Sequence, residues 1–187
     1  MVLLDTPIET TLHTTLIETP LGPMRLIASD VGLRVCDFLD RRDMEKAVDR
    51  VGPADEQADP HRILDLARRE LADYFAGKLR AFTVPLDLPA GTFSRRAWDG
   101  LCEIPFGQTR SYAQQAAAIG SPSAVRAVAN ANGRNFVAII VPCHRVIGSD
   151  GSLTGFGGGL WRKRWLLDHE RRVSGGELFP PRRGDGL

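Results

Sequence analysis

The chain has little cysteine. Its 187 residues hold only Cys36, Cys102 and Cys143. An odd number without metal-like pairing argues against a disulfide framework or a four-cysteine zinc site, and reduced thiols suit a reducing compartment. Long apolar runs are missing too. None approaches the roughly 18 residues of a membrane helix, and the opening Met1-Val-Leu-Leu-Asp-Thr-Pro7 lacks the basic and apolar regions of a secretion signal. A soluble cytoplasmic protein with no membrane partner is expected. Charge of one sign is also lacking: the net charge of +1 nominates no partner. There is no internal repeat, and neither a P-loop nor a dinucleotide fingerprint occurs.

What is present reads as an ordinary globular chain, long enough for one or two domains with a real core. The halves differ in charge. Residues 1–90 carry 11 Lys/Arg against 16 Asp/Glu, and residues 91–187 carry 13 against 7. A basic half beside an acidic one points weakly to a polyanion bound by one domain, and equally to chance. Residues 14–18, 24–28 and 33–39 are short apolar runs parted by Pro20-Leu-Gly-Pro23 and Asp30-Val-Gly32, which predicts an antiparallel meander. Residues 40–60 predict a helix stub and a loop. Helical periodicity covers 61–78, with Gly77 as a stop. Leu86-Asp-Leu-Pro-Ala-Gly91 reads as a linker.

The second half is helical in pattern over 94–104, 111–119, 122–132 and 160–170. In the third of these Pro122 suits the first helical position and Ser121 its cap. Two short helices around Gly120 predict a helix-turn-helix. Residues 136–141 form a buried apolar run, and 155–159 a Gly-rich loop. The domains expected are 1–90, 91–172 and a disordered tail over 173–187.

Cys143 follows the buried run, in Val141-Pro-Cys-His-Arg-Val146. A lone cysteine is commonly a small core residue, and Cys36 and Cys102, in strand and helix patterns, are expected to be just that. Cys143 instead has His144 and Arg145 beside it, and positive charge or a base favours the reactive thiolate. His144 reads either as that base, oriented by a later carboxylate such as Glu170, or as an exposed loop histidine. The helix after Pro122 is small on nearly every side, with one arginine. It suits either close approach to a duplex with Arg126 as a wedge, or tight core packing. The Gly-rich loop reads as a phosphate cradle, as a lid with backbone N–H groups near a flat substrate, or as a plain connection.

These pieces occur together and in order. Ile104-Pro-Phe-Gly107, Ser111-Tyr112, Ser121-Pro-Ser-Ala-Val-Arg-Ala-Val128, Asn130-Ala-Asn-Gly-Arg-Asn135, Val141-Pro-Cys-His-Arg-Val146, Gly158-Gly-Leu160 and Trp165-Leu-Leu-Asp-His-Glu170 resemble the 6-O-alkylguanine-DNA alkyltransferases. The resemblance is dense over 92–171 and looser over 12–90. It implies an α/β (α+β) protein: a small N-terminal ribonuclease-H-like domain with an antiparallel sheet, then a mostly helical, winged-helix-like C-terminal domain holding the site.

The resemblance also implies roles. Cys143 is the alkyl acceptor, His144 its base through a water, and Glu170 the orienter of His144. Asn135 ties the turn beneath the site. Tyr112 donates to a ring nitrogen of the flipped guanine. The N–H of Gly157, beside Phe156, faces the guanine oxygen, and the carbonyls of Cys143 and Val146 meet the exocyclic amine. Arg126 fills the gap left in the duplex. Ala124 and Ala127 lie on the helix that enters the minor groove, and Ser94, Ser121 and Gly133 join the DNA-facing surface. The implied function is stoichiometric, irreversible repair of alkylguanine in double-stranded DNA, by a monomer without cofactor or metal; no Cys/His set like the structural zinc site of some relatives is seen. Activity on 4-O-alkylthymine is open.

Three departures stand out. Phe156 replaces a frequent tyrosine, Phe136 a frequent proline, and Ala138 a proline of some members, so a reshaped alkyl pocket is expected. Two other classes compete. A non-catalytic lesion-binding relative would replace the cysteine, which is present here. A thiol hydrolase would normally draw its histidine from a distant part of the chain.

Overall fold

The computed structural model describes residues 11–56, 61–88 and 90–176. Strands β1 (His13–Ile17), β2 (Met24–Ala28) and β3 (Leu33–Phe38) form the expected meander, with Ile17 opposite Met24 and Met24 opposite Phe38. Gly22 turns the first hairpin at φ +103, a conformation open to glycine, and the Thr19 hydroxyl donates to its carbonyl at 2.6 Å.

Alternation along the sheet feeds two cores. Leu26, Leu33, Cys36 and Phe38 join Ile63, Leu64, Ala67, Leu71 and Tyr74 of helix α2 (Arg62–Phe75) in the main cluster. Ile27 and Val35 join Met44 and Ala47 of helix α1 (Met44–Val51) in the second. One feature was not expected: residues read as loop include strand β4 (Asp55–Glu56), parallel to β1, so the sheet runs β3-β2-β1-β4. The chain leaving α1 returns beside β1, where Asp55 N–H donates to the Leu12 carbonyl.

The second half contains α3 (Thr92–Cys102), α4 (Tyr112–Ala118), α5 (Val125–Gly133) and α6 (Leu160–Val173), with a short parallel pair, β5 (Arg110–Ser111) and β6 (Val146–Ile147). Ser111 caps α4 in a capping box with Gln114. Helix α5 begins three residues later than the sequence suggests. Pro122 and Ser123 form a turn closed by Ala124 N–H on the Ser121 carbonyl, Ala124 is the N-cap, and Ser121 does not cap the helix with its side chain. The fixed φ of proline fits the second position of such a turn as well as a first helical turn. A reciprocal amide pair, Asn132 Nδ2 to Gln115 Oε1 at 2.7 Å and Gln115 Nε2 to Asn132 Oδ1 at 3.2 Å, locks α4 against α5. Trp98 Nε1 donates to the Ala131 carbonyl and adds α3.

The halves share one core. The expected linker is anchored at its start, where Leu86 pairs with Leu33 and the Asp87 carboxylate accepts from Ser29 and Arg34. The apolar run after Asn135 is buried as expected over 137–141. It lies along the free edge of β3, with Cys36 N–H on the Phe136 carbonyl and Ala138 N–H on the Cys36 carbonyl. Of the expected tail, Val173 completes α6, 174–176 follow it as a turn, and 177–187 lie outside the described residues. No helix among the described residues is long and apolar enough to cross a membrane.

Candidate active site

Past the β3 edge the backbone turns sharply. Ile139 takes φ +72, Val141 N–H reaches the Val137 carbonyl, and Cys143 opens a one-turn 3-10 helix (Cys143–Arg145). Asn135 supports this turn from inside. Its Oδ1 accepts from Val137 N–H at 2.9 Å, and its Nδ2 donates to the Val141 carbonyl at 2.9 Å and to Cys143 Sγ at 3.2 Å. Burial pushes the Cys143 thiol up; the Asn135 hydrogen bond and the Lys163 charge oppose that without cancelling it. The resting group is therefore a thiol that needs a base.

A candidate base is adjacent in the chain. His144 is buried, and its Nε2 lies 2.8 Å from Glu170 Oε1. An ionised carboxylate only accepts, so Nε2 carries the proton and Nδ1 holds the lone pair. Nδ1 is buried with no hydrogen-bond partner among the described residues, so the geometry contains no direct thiol–imidazole bond. Burial keeps the imidazole pKa below its ordinary value, with Glu170 pulling the other way. Burial alone would raise the Glu170 pKa; His144 and then Arg145, both bonded to the carboxylate, hold it well below the usual carboxylate range. The carboxylate accepts from Arg145 Nε at 3.0 Å and Nη2 at 3.0 Å, from Tyr74 Oη at 2.9 Å and from Gly107 N–H at 2.9 Å. The idea that Arg145 serves the thiol is corrected here: its guanidinium is committed to Glu170 and the Ile104 carbonyl.

Asp37 and Arg41 act on the thiol less, and the foremost charge on it is Lys163, which was not expected from the sequence. Its fully buried ammonium donates to the carbonyls of Val146 at 2.5 Å and Thr154 at 2.6 Å, and burial lowers its pKa to about 8. It straps the Gly-rich loop to the turn after Cys143. Tyr112 Oη donates to the Thr154 carbonyl at 3.2 Å, and burial raises its pKa, so it remains a protonated donor.

A cleft of about 900 Å³ is lined by Tyr112, Arg126, Gly133, Phe156, Gly157 and Trp161, among others. Cys143 is 9% exposed and is not part of that lining.

Residues 12–88 match the family described as 6-O-methylguanine DNA methyltransferase, ribonuclease-like domain, and residues 92–172 match the DNA binding domain of the same family. The chain belongs to this methyltransferase family. It is 46% identical to the methylated-DNA–protein-cysteine methyltransferase of Methanosarcina barkeri over 83% of this chain and 94% of that one. The constitutive enzyme of Bacillus subtilis is 42% identical, over 82% and 92%. Among solved structures, Mycobacterium tuberculosis OGT in complex with DNA superposes with a TM-score of 0.76 at 43% identity, over 86% of this chain and 94% of that one.

The remaining residues expected from the sequence of this methyltransferase fall in three places. Arg126 and Ala127 are exposed on α5, with Ala124 half-buried at its N-cap. Gly133 ends that helix, while Ser121 lies in the turn before it and Ser94 in the first turn of α3, both half-buried. Gly157 is exposed, and a Cβ there would stand 2.5 Å from the Arg41 guanidinium. Arg41 was also missed. It binds the Asp37 carboxylate and the carbonyls of Gly133 and Asn135. Two expectations are corrected. Phe136 packs under Arg41 in the second core and lines a separate pocket, so it does not shape the cleft. Cys102 is exposed, because it is the last residue of α3 and the buried face is set by Trp98 and Leu101.

Proposed function

We propose that the protein repairs DNA inside the cell by moving the alkyl group of 6-O-alkylguanine to its own Cys143, one event per molecule, as a monomer. Three of its relatives' features support DNA as partner: the matched DNA binding domain, the names of the curated relatives and the DNA-bound structural neighbour. The observation that carries the reaction is the buried chain Cys143, His144, Glu170, Arg145. It holds a buried imidazole with an unused Nδ1 lone pair one residue along the chain from a thiol whose proton must leave.

The target base has to leave the stack to reach a buried sulfur. Arg126, exposed on the small-residue helix α5, is the side chain to occupy its place, and a helix so lightly sided suits a narrow groove. His144 Nδ1 takes the thiol proton through one water. The thiolate attacks the alkyl carbon in line, forming the S–C bond as the C–O bond breaks. Tyr112 delivers a proton to the guanine ring nitrogen, so that neutral guanine departs, and the proton from Cys143 ultimately replaces it. The Gly157 N–H and the free lone pairs of the Cys143 and Val146 carbonyls suit the guanine edge; Lys163 uses only one lone pair of Val146 O. A thioether has no easy return, which limits the protein to one turnover.

The test is intact-protein mass spectrometry after mixing with excess duplex carrying 6-O-methylguanine. One methyl group per chain, on the Cys143 peptide, is expected. Cys143→Ala should take none while still binding the duplex. Transfer by that variant, or a gain on another residue, overturns the assignment.

A further inference from the structure

Far from the cleft in sequence and element, three side chains of the N-terminal half converge. His13 opens β1, Asp30 sits in the turn after β2, and His61 is the N-cap of α2. The rings of His13 and His61 lie 4.5 Å apart between centroids and are tilted by 34°. Donor atoms of all three residues lie within 4.8 Å of one another.

His61 is the informative member. It is 9% exposed, and its Nε2 is buried without a hydrogen-bond partner. That atom faces the Asp30 carboxylate at 3.7 Å, beyond hydrogen-bond reach. A buried ring nitrogen is ordinarily satisfied, so an orphaned one aimed at a carboxylate and a second imidazole calls for a ligand.

We propose that His13, Asp30 and His61 form a divalent transition-metal site, best suited to zinc, that clips β1, the β2–β3 turn and the start of α2 together. Two imidazoles and one carboxylate fit a borderline ion; calcium and magnesium prefer all-oxygen sets. Tetrahedral zinc, with bonds near 2.1 Å, places its donors about 3.4 Å apart. The donors must therefore draw in by about an ångström. Asp30, whose side chain is 87% exposed on a turn, is the one free to move. Ligation through Nε2 puts the His61 proton on Nδ1, so the long 3.4 Å contact from Leu64 N–H is given up. A water completes the coordination. The sequence showed none of this, since the ligands stand 17 and 31 residues apart and include no cysteine. The ion has no part in alkyl transfer; it stabilises the sheet and α2.

The experiment uses the full chain, stripped with a chelator and titrated with zinc by calorimetry and thermal unfolding, and with cobalt by visible absorption. One equivalent, a raised Tm and cobalt d–d bands are expected. His13→Ala and Asp30→Asn should weaken binding at least tenfold while keeping the metal-free Tm. His61→Asn, which retains a cap acceptor, should do the same, and Cys143→Ala should bind as the parent does. No heat and no Tm shift at about tenfold excess of zinc over protein overturn the site, as does binding that survives His13→Ala and His61→Asn or that vanishes with Cys143→Ala. Transfer activity plays no part in the readout, so the site stands or falls apart from the repair reaction.

Discussion

Cys143 lies under opposing influences, a burial that protonates it against an Asn135 hydrogen bond and a Lys163 charge that favour its anion. Removing that lysine exposes the balance. Lys163→Met should raise the thiol pKa further, read by the pH dependence of iodoacetamide labelling, and slow transfer, since less of the thiol then ionises at a given pH. His144 sets the pH profile. Its folded pKa lies below the ordinary 6.5, so the neutral, proton-accepting form persists through neutrality. The transfer rate should hold steady down to about pH 6.5 and fall only below it. Stability follows the same sign. The unfolded imidazole binds its proton more readily than the buried one, so stability is full above about 6.5 and declines as pH drops towards the folded value. Thermal unfolding against pH, compared with His144→Gln, checks this; an unchanged acid slope in the variant would refute it. At this scale the sequence was most legible where residues are neighbours. His144 beside Cys143 and Asn135 below it are local. Lys163, Arg41 and Tyr74 were not legible, because each acts from another element, on a backbone carbonyl or a carboxylate whose place only the fold decides.

Among elements, the helix-turn-helix depends on a polar pair inside an apolar crossing. Asn132 and Gln115 satisfy one another between α4 and α5, and a half-removed pair leaves a buried amide unmet. Asn132→Ala should cost about 1–3 kcal/mol of stability and weaken duplex binding more than the Cys143 labelling rate. Denaturant unfolding together with duplex titration separates the two effects. The pattern of the sequence located every α-helix of this half, since residue spacing and composition are local features. It misplaced the start of α5, because Pro122 serves a turn as well as a helix. It missed β4, whose two residues are strand only because β1 lies beside them.

On the scale of the molecule, the N-terminal half reaches the candidate site. Tyr74, on α2, donates to the carboxylate that orients His144, and Arg41, after β3, holds the end of α5 and the approach to Gly157. Tyr74→Phe should lower stability by about 1.5–3 kcal/mol, the range for a hydrogen bond to a charged group. It should also slow transfer, although the residue stands in the domain without the acceptor. Unfolding and single-turnover rates of the same variant test both; a loss of stability with an unchanged rate would confine Tyr74 to packing.

The bridge between Cys36 and Val137 spans about a hundred residues. A ribosome adding roughly 5–20 residues per second exposes the outer edge of β3 for about 5–20 s before its partner exists. Throughout that interval the part of the edge around Cys36 lacks its partner, although Leu86 reaches Leu33 sooner, and an unpaired strand edge is the feature most open to pairing with another chain. The segment that later positions the reactive sulfur is also the cover for that edge, so newly made protein gains its reactivity and loses its tendency to aggregate in the same folding step.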